Sequence, residues 1–304
     1  MLDARTASEV LEGIDLSGKH ALVTGVSSGI GVETARVLVA HGVDVTGTAR
    51  DLPKARLATE KLRAGKRAGG GLDLAELDLA SLRSVRECAD RLLHAGKRFD
   101  VVIANAGVMA VPEARTVDGF EIQFATNYLG HFVLINRIAP IINPGGRVVM
   151  IASAGHRGAD VDMGDLNFDH TPYDPLDAYR RSKTAMILFA VEFDRRHNAA
   201  GIRATALHPG AVLTETTRAM IDQQPEAAAA FDWKPVEQGA ATLAWAGFVA
   251  PANEVGGHYC EDCHVVAIND DPAADFGVRS YALDPDRARG LWVKSEELVK
   301  ERFG

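Results

Sequence analysis

The chain has 304 residues, 33 of them basic and 41 acidic, for a net charge of −8. Hydrophobic residues make up 47% and charged residues 24%, which excludes disordered, collagen-like and disulfide-scaffold classes. A net acidic chain without a polybasic patch is a poor match for nucleic acid or an anionic membrane, so neither is expected as a partner.

Cys88, Cys260 and Cys263 are too few to staple a chain of this length, which points to a reducing compartment. The first twenty residues carry Asp3, Glu9, Glu12 and Asp15 and read as no signal peptide. The longest uncharged apolar stretch, 239–252, is shorter than the ~20 residues of a membrane span. A cytoplasmic location is the expectation.

In chain order, β-branched runs alternate with helical patterns, which predicts βαβ units and a parallel sheet. Strands are expected at His20–Thr24, Val43–Ala49, Leu72–Leu77, Phe99–Ala104, Arg147–Ala152, Ile202–His208 and Gly257–Ala267. Helices are expected at Gly31–His41, Lys54–Arg63, from Ser81 as cap to Ala95, and at Phe120–Ile141, Asp177–His197, Val236–Val249 and Pro285–Arg302. This is an α/β, Rossmann-type doubly wound sheet of about seven strands. No repeat and no linker divides it, so residues 1–304 are expected to form one domain. Two segments, 154–177 and 213–235, exceed ordinary loops and follow the carboxyl ends of strands, where such sheets bind ligands. They read as a substrate loop and a lid, the lid carrying apolar Met220, Ile221 and Phe231.

The first strand runs into Thr24-Gly25-Val26-Ser27-Ser28-Gly29-Ile30-Gly31. Gly25 suits a tight turn, Gly29 a close approach of backbone to a pyrophosphate, and Gly31 close packing of helix on strand. The helix amides and dipole then face the anion. Strand two ends Ala49-Arg50-Asp51. An NAD site usually has a carboxylate there for the ribose 2′-hydroxyl, whereas an arginine accommodates a 2′-phosphate. Arg50 therefore favours NADP(H), and Asp51, one residue on, leaves NAD(H) open. Asn105-Ala106-Gly107 closes strand four with residues small enough for a cofactor to lie against.

Tyr179 and Lys183 stand at i and i+4, on one helix face. A nearby ammonium is expected to lower the phenol pKa toward the range of a working acid/base. Ser153, at the end of strand five, can hydrogen-bond a carbonyl and stabilise a developing alkoxide. Asn127 sits inside a predicted helix, where asparagine is unfavoured. His258, Cys260, Cys263 and His264 have a metal-like spacing, but strand alternation turns Cys263 away from the others, so no metal is expected. His131 and His208 read as structural.

Together these motifs resemble the short-chain dehydrogenase/reductase family. Asn127-Tyr128-Leu129-Gly130-His131-Phe132, Ala49-Arg50-Asp51 with Lys54-Ala55, and the 26-residue gap from Ser153 to Tyr179 resemble its retinol dehydrogenase and WW-domain oxidoreductase-like branch. The resemblance implies a tetrad in which Tyr179 transfers the proton, Ser153 holds the carbonyl, Lys183 binds the nicotinamide ribose and tunes Tyr179, and Asn127 positions a water. It implies an adenine pocket at Asp78-Leu79 and a nicotinamide seat along Pro209, Gly210, Val212 and Thr214. The implied activity is interconversion of an alcohol and its ketone or aldehyde on a bulky apolar substrate, by a homodimer or homotetramer. The alternative is a non-catalytic dinucleotide sensor of the same fold. Ala152, Tyr128 and His208 depart from common family residues, which bears on substrate shape.

Overall fold

A computed structural model of the chain describes residues 5–64, 70–223, 225–229 and 231–304. Its strands are β1 (His20–Thr24), β2 (Asp44–Ala49), β3 (Gly71–Glu76), β4 (Phe99–Ala104), β5 (Ile142–Ile151), β6 (Arg203–His208), β7 (Ala211–Val212), β8 (Trp233–Lys234), β9 (Tyr259–Glu261) and β10 (His264–Val265). Eight form one sheet in the order β10-β9-β6-β5-β4-β1-β2-β3. All pairings in it are parallel except β9 with β10. The order reverses between β1 and β4, which opens a crevice at their carboxyl ends.

Leu22 and Val102 face one layer, and Ala21, Val23, Val101 and Ile103 the other, so the central strands are apolar on both sides. The first layer packs the Leu82–His94, Gly130–Ile138, Pro175–His197 and Pro285–Val299 helices. Its centre is aromatic: Phe132 meets Trp292 edge-on at 5.1 Å between centroids, and Phe189 stacks on Trp292 at 5.8 Å. The second layer packs the Gly29–Ala40 helix and the helical turns near Leu243.

Local chemistry sets the boundaries. Asp174 caps the Pro175–His197 helix by accepting from the Asp177 amide, and Ser81 caps Leu82–His94 by accepting from that of Ser84. The expected Lys54–Arg63 helix divides into Leu52–Ala58 and Glu60–Ala64; Thr59 Oγ1 donates back to the Ala55 carbonyl at the break. The expected Phe120–Ile141 helix begins instead with a π-helical segment, Phe124–Leu129, centred on Asn127.

The last expected strand, Gly257–Ala267, is a hairpin of β9 and β10 turning at Asp262 and Cys263, both at positive φ (46° and 58°). That turn supplies the eighth strand. It also overturns the facing argument: Cys260 and Cys263 pack in one apolar cluster, because alternation ends where the chain reverses. Neither forms a disulfide, and burial pushes Cys260 up to about 12. No group of three or more potential metal ligands occurs among the described residues. Nor is any described helix long and apolar enough to cross a membrane.

Candidate active site

The glycine turn closes as its spacing requires. Gly25 takes φ 78°, and a Cβ there would lie 2.9 Å from Cα of Ala106. At Gly31 a Cβ would stand 2.2 Å from the Gly25 carbonyl oxygen, so only glycine lets this helix meet its strand. Ser28, the residue before the Gly29–Ala40 helix, makes no side-chain capping bond, which leaves the first amides of a twelve-residue helix directed at the crevice. Ser28 and Gly29 line that crevice with Leu213, Thr214 and Glu215. Glu215 also pairs with Lys54 at 3.0 Å.

Arg50 is exposed at the end of β2 and lines a second crevice with Asp51 and Glu76. Asp51 is engaged elsewhere: its carboxylate accepts from the Lys54 amide at 2.9 Å as a helix cap. Glu76 reaches the crevice because β2 and β3 pair in parallel with Ala49 opposite Glu76. Sequence separation hid it. Asp78 folds onto its own loop, accepting from the Ala80 amide at 3.0 Å, and Leu79 is buried against Gly130.

Asn105 donates to the Thr24 carbonyl at 2.8 Å, joining the ends of β1 and β4. Gly107 lies beside Asn127, where a Cβ would approach Asn127 Oδ1 to 2.9 Å. Asn127 is fully buried. Its Oδ1 accepts from the Val108 amide at 2.8 Å, and its Nδ2 donates to the Val108 carbonyl at 3.0 Å and to Ser182 Oγ at 2.9 Å. Ser153 Oγ accepts from the Gly155 amide at 3.0 Å. A Cβ on Gly155 would stand 3.2 Å from Tyr179 Cε1 and 3.4 Å from Ser153 Oγ, so serine and phenol flank one point.

Lys183 Nζ donates to the Ile151 carbonyl at 2.7 Å and stands 5.6 Å from the centroid of the Tyr179 ring. Burial lowers Lys183 to about 7. Burial also raises Tyr179, against the hydrogen bond from Ser153 that lowers it. The expected lowering by the ammonium is therefore reversed here. The lysine donates to the end of β5, and desolvation of the phenolate outweighs the Ser153 hydrogen bond.

Pro209 and Gly210 follow β6, and Lys234 from β8 lies across Gly210, where a Cβ would meet its Cδ at 2.8 Å. Val212 pairs with Lys234 between β7 and β8, so the two ends of the lid are stitched together. Thr214 accepts from the Thr217 amide at 3.2 Å at the start of the Glu215–Gln223 helix. The side chain of Met220 lies outside the described residues. In the substrate loop Tyr173 Oη donates to the Val111 carbonyl at 3.1 Å and accepts from Gln123 Nε2 at 3.0 Å.

Comparison with known proteins places this geometry. The description of the short chain dehydrogenase family matches residues 19–225. The chain belongs to that family. It is an oxidoreductase of the short-chain type, 39% identical over 295 residues to a "Probable oxidoreductase" of Streptomyces lividans, covering 92% of this chain and 97% of that one. Human retinol dehydrogenase 13 is 38% identical over 205 residues, 67% of this chain and 62% of that protein. The structure resembles a crystal structure of an uncharacterized protein from Mycobacterium Paratuberculosis, with TM-score 0.75, 33% identity and coverage of 97% and 98%. It also resembles a short chain dehydrogenase from Burkholderia cenocepacia J2315 in complex with NADP, with TM-score 0.65, 26% identity and coverage of 82% and 98%.

Proposed function

We propose that this short-chain dehydrogenase interconverts an alcohol and its ketone or aldehyde, with NADP(H) as preferred cofactor and a bulky apolar substrate. The observation that carries the reading is the convergence of Ser153 and Tyr179 on one point, with Lys183 beside the phenol and Asn127 buried at the neighbouring strand end.

The crevice fits a dinucleotide. Gly25 and Gly31 let the turn close against Ala106 and its own strand, Ser28 and Gly29 line the crevice this leaves, and the uncapped helix amides suit a pyrophosphate. Gly25, Ser27, Ser28, Gly29, Ile30 and Gly31 would hold the pyrophosphate, and Arg50 a 2′-phosphate. Asp78, Leu79, Asn105, Ala106 and Gly107 would flank the adenosine half, and Pro209, Gly210, Val212 and Thr214 the nicotinamide half. When bound, the nicotinamide supplies or accepts the hydride.

Ser153 Oγ donates to the substrate oxygen and stabilises charge that develops there. Tyr179 holds the proton, gives it to that oxygen in reduction, and takes it back in oxidation. A raised phenol pKa keeps Tyr179 protonated, which suits the reductive direction. Lys183 binds the ribose, and its ammonium, brought beside the phenol, favours the phenolate needed for oxidation. Asn127 orders a water that returns the proton to solvent. Segments 154–177 and 213–235 serve as substrate loop and lid of a single domain 1–304. Phe231 in the lid is exposed and meets Trp233 at 5.6 Å, which supports an apolar rim.

The test is NADPH-dependent reduction of a panel of bulky aryl and alicyclic ketones by the wild type and Tyr179→Phe. The phenylalanine variant should bind NADPH and lose at least ~100-fold in kcat. Retained turnover removes Tyr179 from the mechanism. NADPH binding with no turnover of any carbonyl by the wild type favours a dinucleotide sensor.

A further inference from the structure

Behind the reacting groups, one fully buried side chain joins the phosphate-turn strand to Asn127. His131 lies in the Gly130–Ile138 helix. Its Nε2 stands 2.9 Å from Thr24 Oγ1 and its Nδ1 2.8 Å from the Asn127 carbonyl oxygen. Thr24 Oγ1 already accepts the amides of Asn105 at 3.0 Å and Ala106 at 2.9 Å.

That count assigns every proton. A hydroxyl oxygen accepts two bonds and donates one. With both acceptor positions of Thr24 taken, its proton goes to His131 Nε2. A neutral imidazole with an accepting Nε2 carries its proton on Nδ1, which donates to the Asn127 carbonyl. Burial keeps the ring neutral, with its pKa lowered to about 4. The wire therefore runs one way, from the 105–106 backbone through Thr24 and His131 to Asn127. At its far end the Asn127 side chain grips the Val108 backbone, two residues beyond where the wire began.

Helix packing alone does not require an imidazole here. Asn136, in the same helix, makes the equivalent bond to the carbonyl four residues back with its amide, Nδ2 to Phe132 at 2.8 Å. What the ring of His131 adds is a second nitrogen on its far side that reaches β1.

We propose that His131 is a positioning residue that locks the dinucleotide turn and Asn127 into one alignment. The proposal rests on the reading of those two sites given above.

Three substitutions separate the halves of the wire. His131→Asn keeps a donor for the Asn127 carbonyl and removes the acceptor for Thr24. His131→Gln places a side-chain oxygen near the Nε2 position, keeping that acceptor and removing the donor. Thr24→Val removes the hydroxyl. NADPH affinity is measured by calorimetry, and exchange of the Val108 amide by hydrogen–deuterium exchange. A neutral hydrogen bond corresponds to about a 3- to 10-fold change in an equilibrium constant. His131→Asn should weaken NADPH binding by about that factor, Thr24→Val, which also frees the Asn105 and Ala106 amides, by more, and the double variant no further than Thr24→Val. His131→Gln should bind NADPH within about 2-fold of wild type, yet speed Val108 exchange, which His131→Asn should leave slow. The proposal is overturned if the Thr24 and His131 effects multiply, or if Asn and Gln alter melting temperature alone. A wild type that does not bind NADPH overturns the reading of the turn and the proposal with it.

Discussion

Acid should unfold this protein early, and two buried histidines set the size of the effect. His131 and His156 are both fully buried, and burial lowers each to about 4. Their nitrogens are committed in the neutral form. His156 donates from Nδ1 to the Ser153 carbonyl at 2.7 Å and accepts the Arg279 amide on Nε2 at 3.3 Å. A second proton on either ring would lose an acceptor and strand a charge. The unfolded chain takes up that proton near pH ~6.5, the native chain only near 4, so between these values the unfolded state binds more protons. Stability is therefore present above pH ~6.5 and falls as the pH drops toward 4. Linkage gives a loss of ~2 kcal/mol per histidine between pH 7 and 5, or ~4 kcal/mol for the pair, against a typical total of 5–15 kcal/mol. At pH 5 ordinary carboxylates are still largely ionised, which isolates the histidines. His208, lowered to about 3 by burial, adds ~2 kcal/mol more in the same direction. Urea unfolding followed by the fluorescence of buried Trp292 measures it. In His156→Gln the loss should shrink by ~2 kcal/mol. A wild type whose stability changes by less than ~1 kcal/mol, or a variant that keeps the full loss, refutes the argument.

Three further outcomes are expected. Gly31→Ala drives a methyl to within 2.2 Å of the Gly25 carbonyl, so it should cost ~2 kcal/mol or more by thermal unfolding and abolish NADPH binding in titration. Arg50→Ala should weaken NADPH by ~10-fold and leave NADH within ~2-fold, whereas Glu76→Gln, which removes a carboxylate from the same crevice, should tighten NADPH by a few-fold in calorimetry. Lys183 sits at about 7 in the fold against ~10.4 unfolded, so stability should rise with pH between those values; Lys183→Met should flatten that rise in urea titrations and abolish turnover.

The sequence by itself determined the elements whose signals are local. β1, β4 and the glycine turn are legible because buried parallel strands are continuously apolar and because a helix meets a strand this closely only through glycine. Tyr179 and Lys183 are legible as a pair because helix geometry puts i and i+4 on one face. Other features depended on contacts distant in sequence. Glu76 enters the Arg50 crevice only through parallel pairing of β2 with β3. The hairpin at Asp262-Cys263 carries no Asn-Gly signal, so its reversal, and with it the facing of Cys263, was decided by packing. The π-helical segment at Asn127 follows from bonds to Val108 and Ser182, which local propensity does not encode. The rise in the Tyr179 pKa is likewise tertiary: spacing brings a lysine near, but desolvation of the phenol by the fold exceeds the lowering by the Ser153 hydrogen bond.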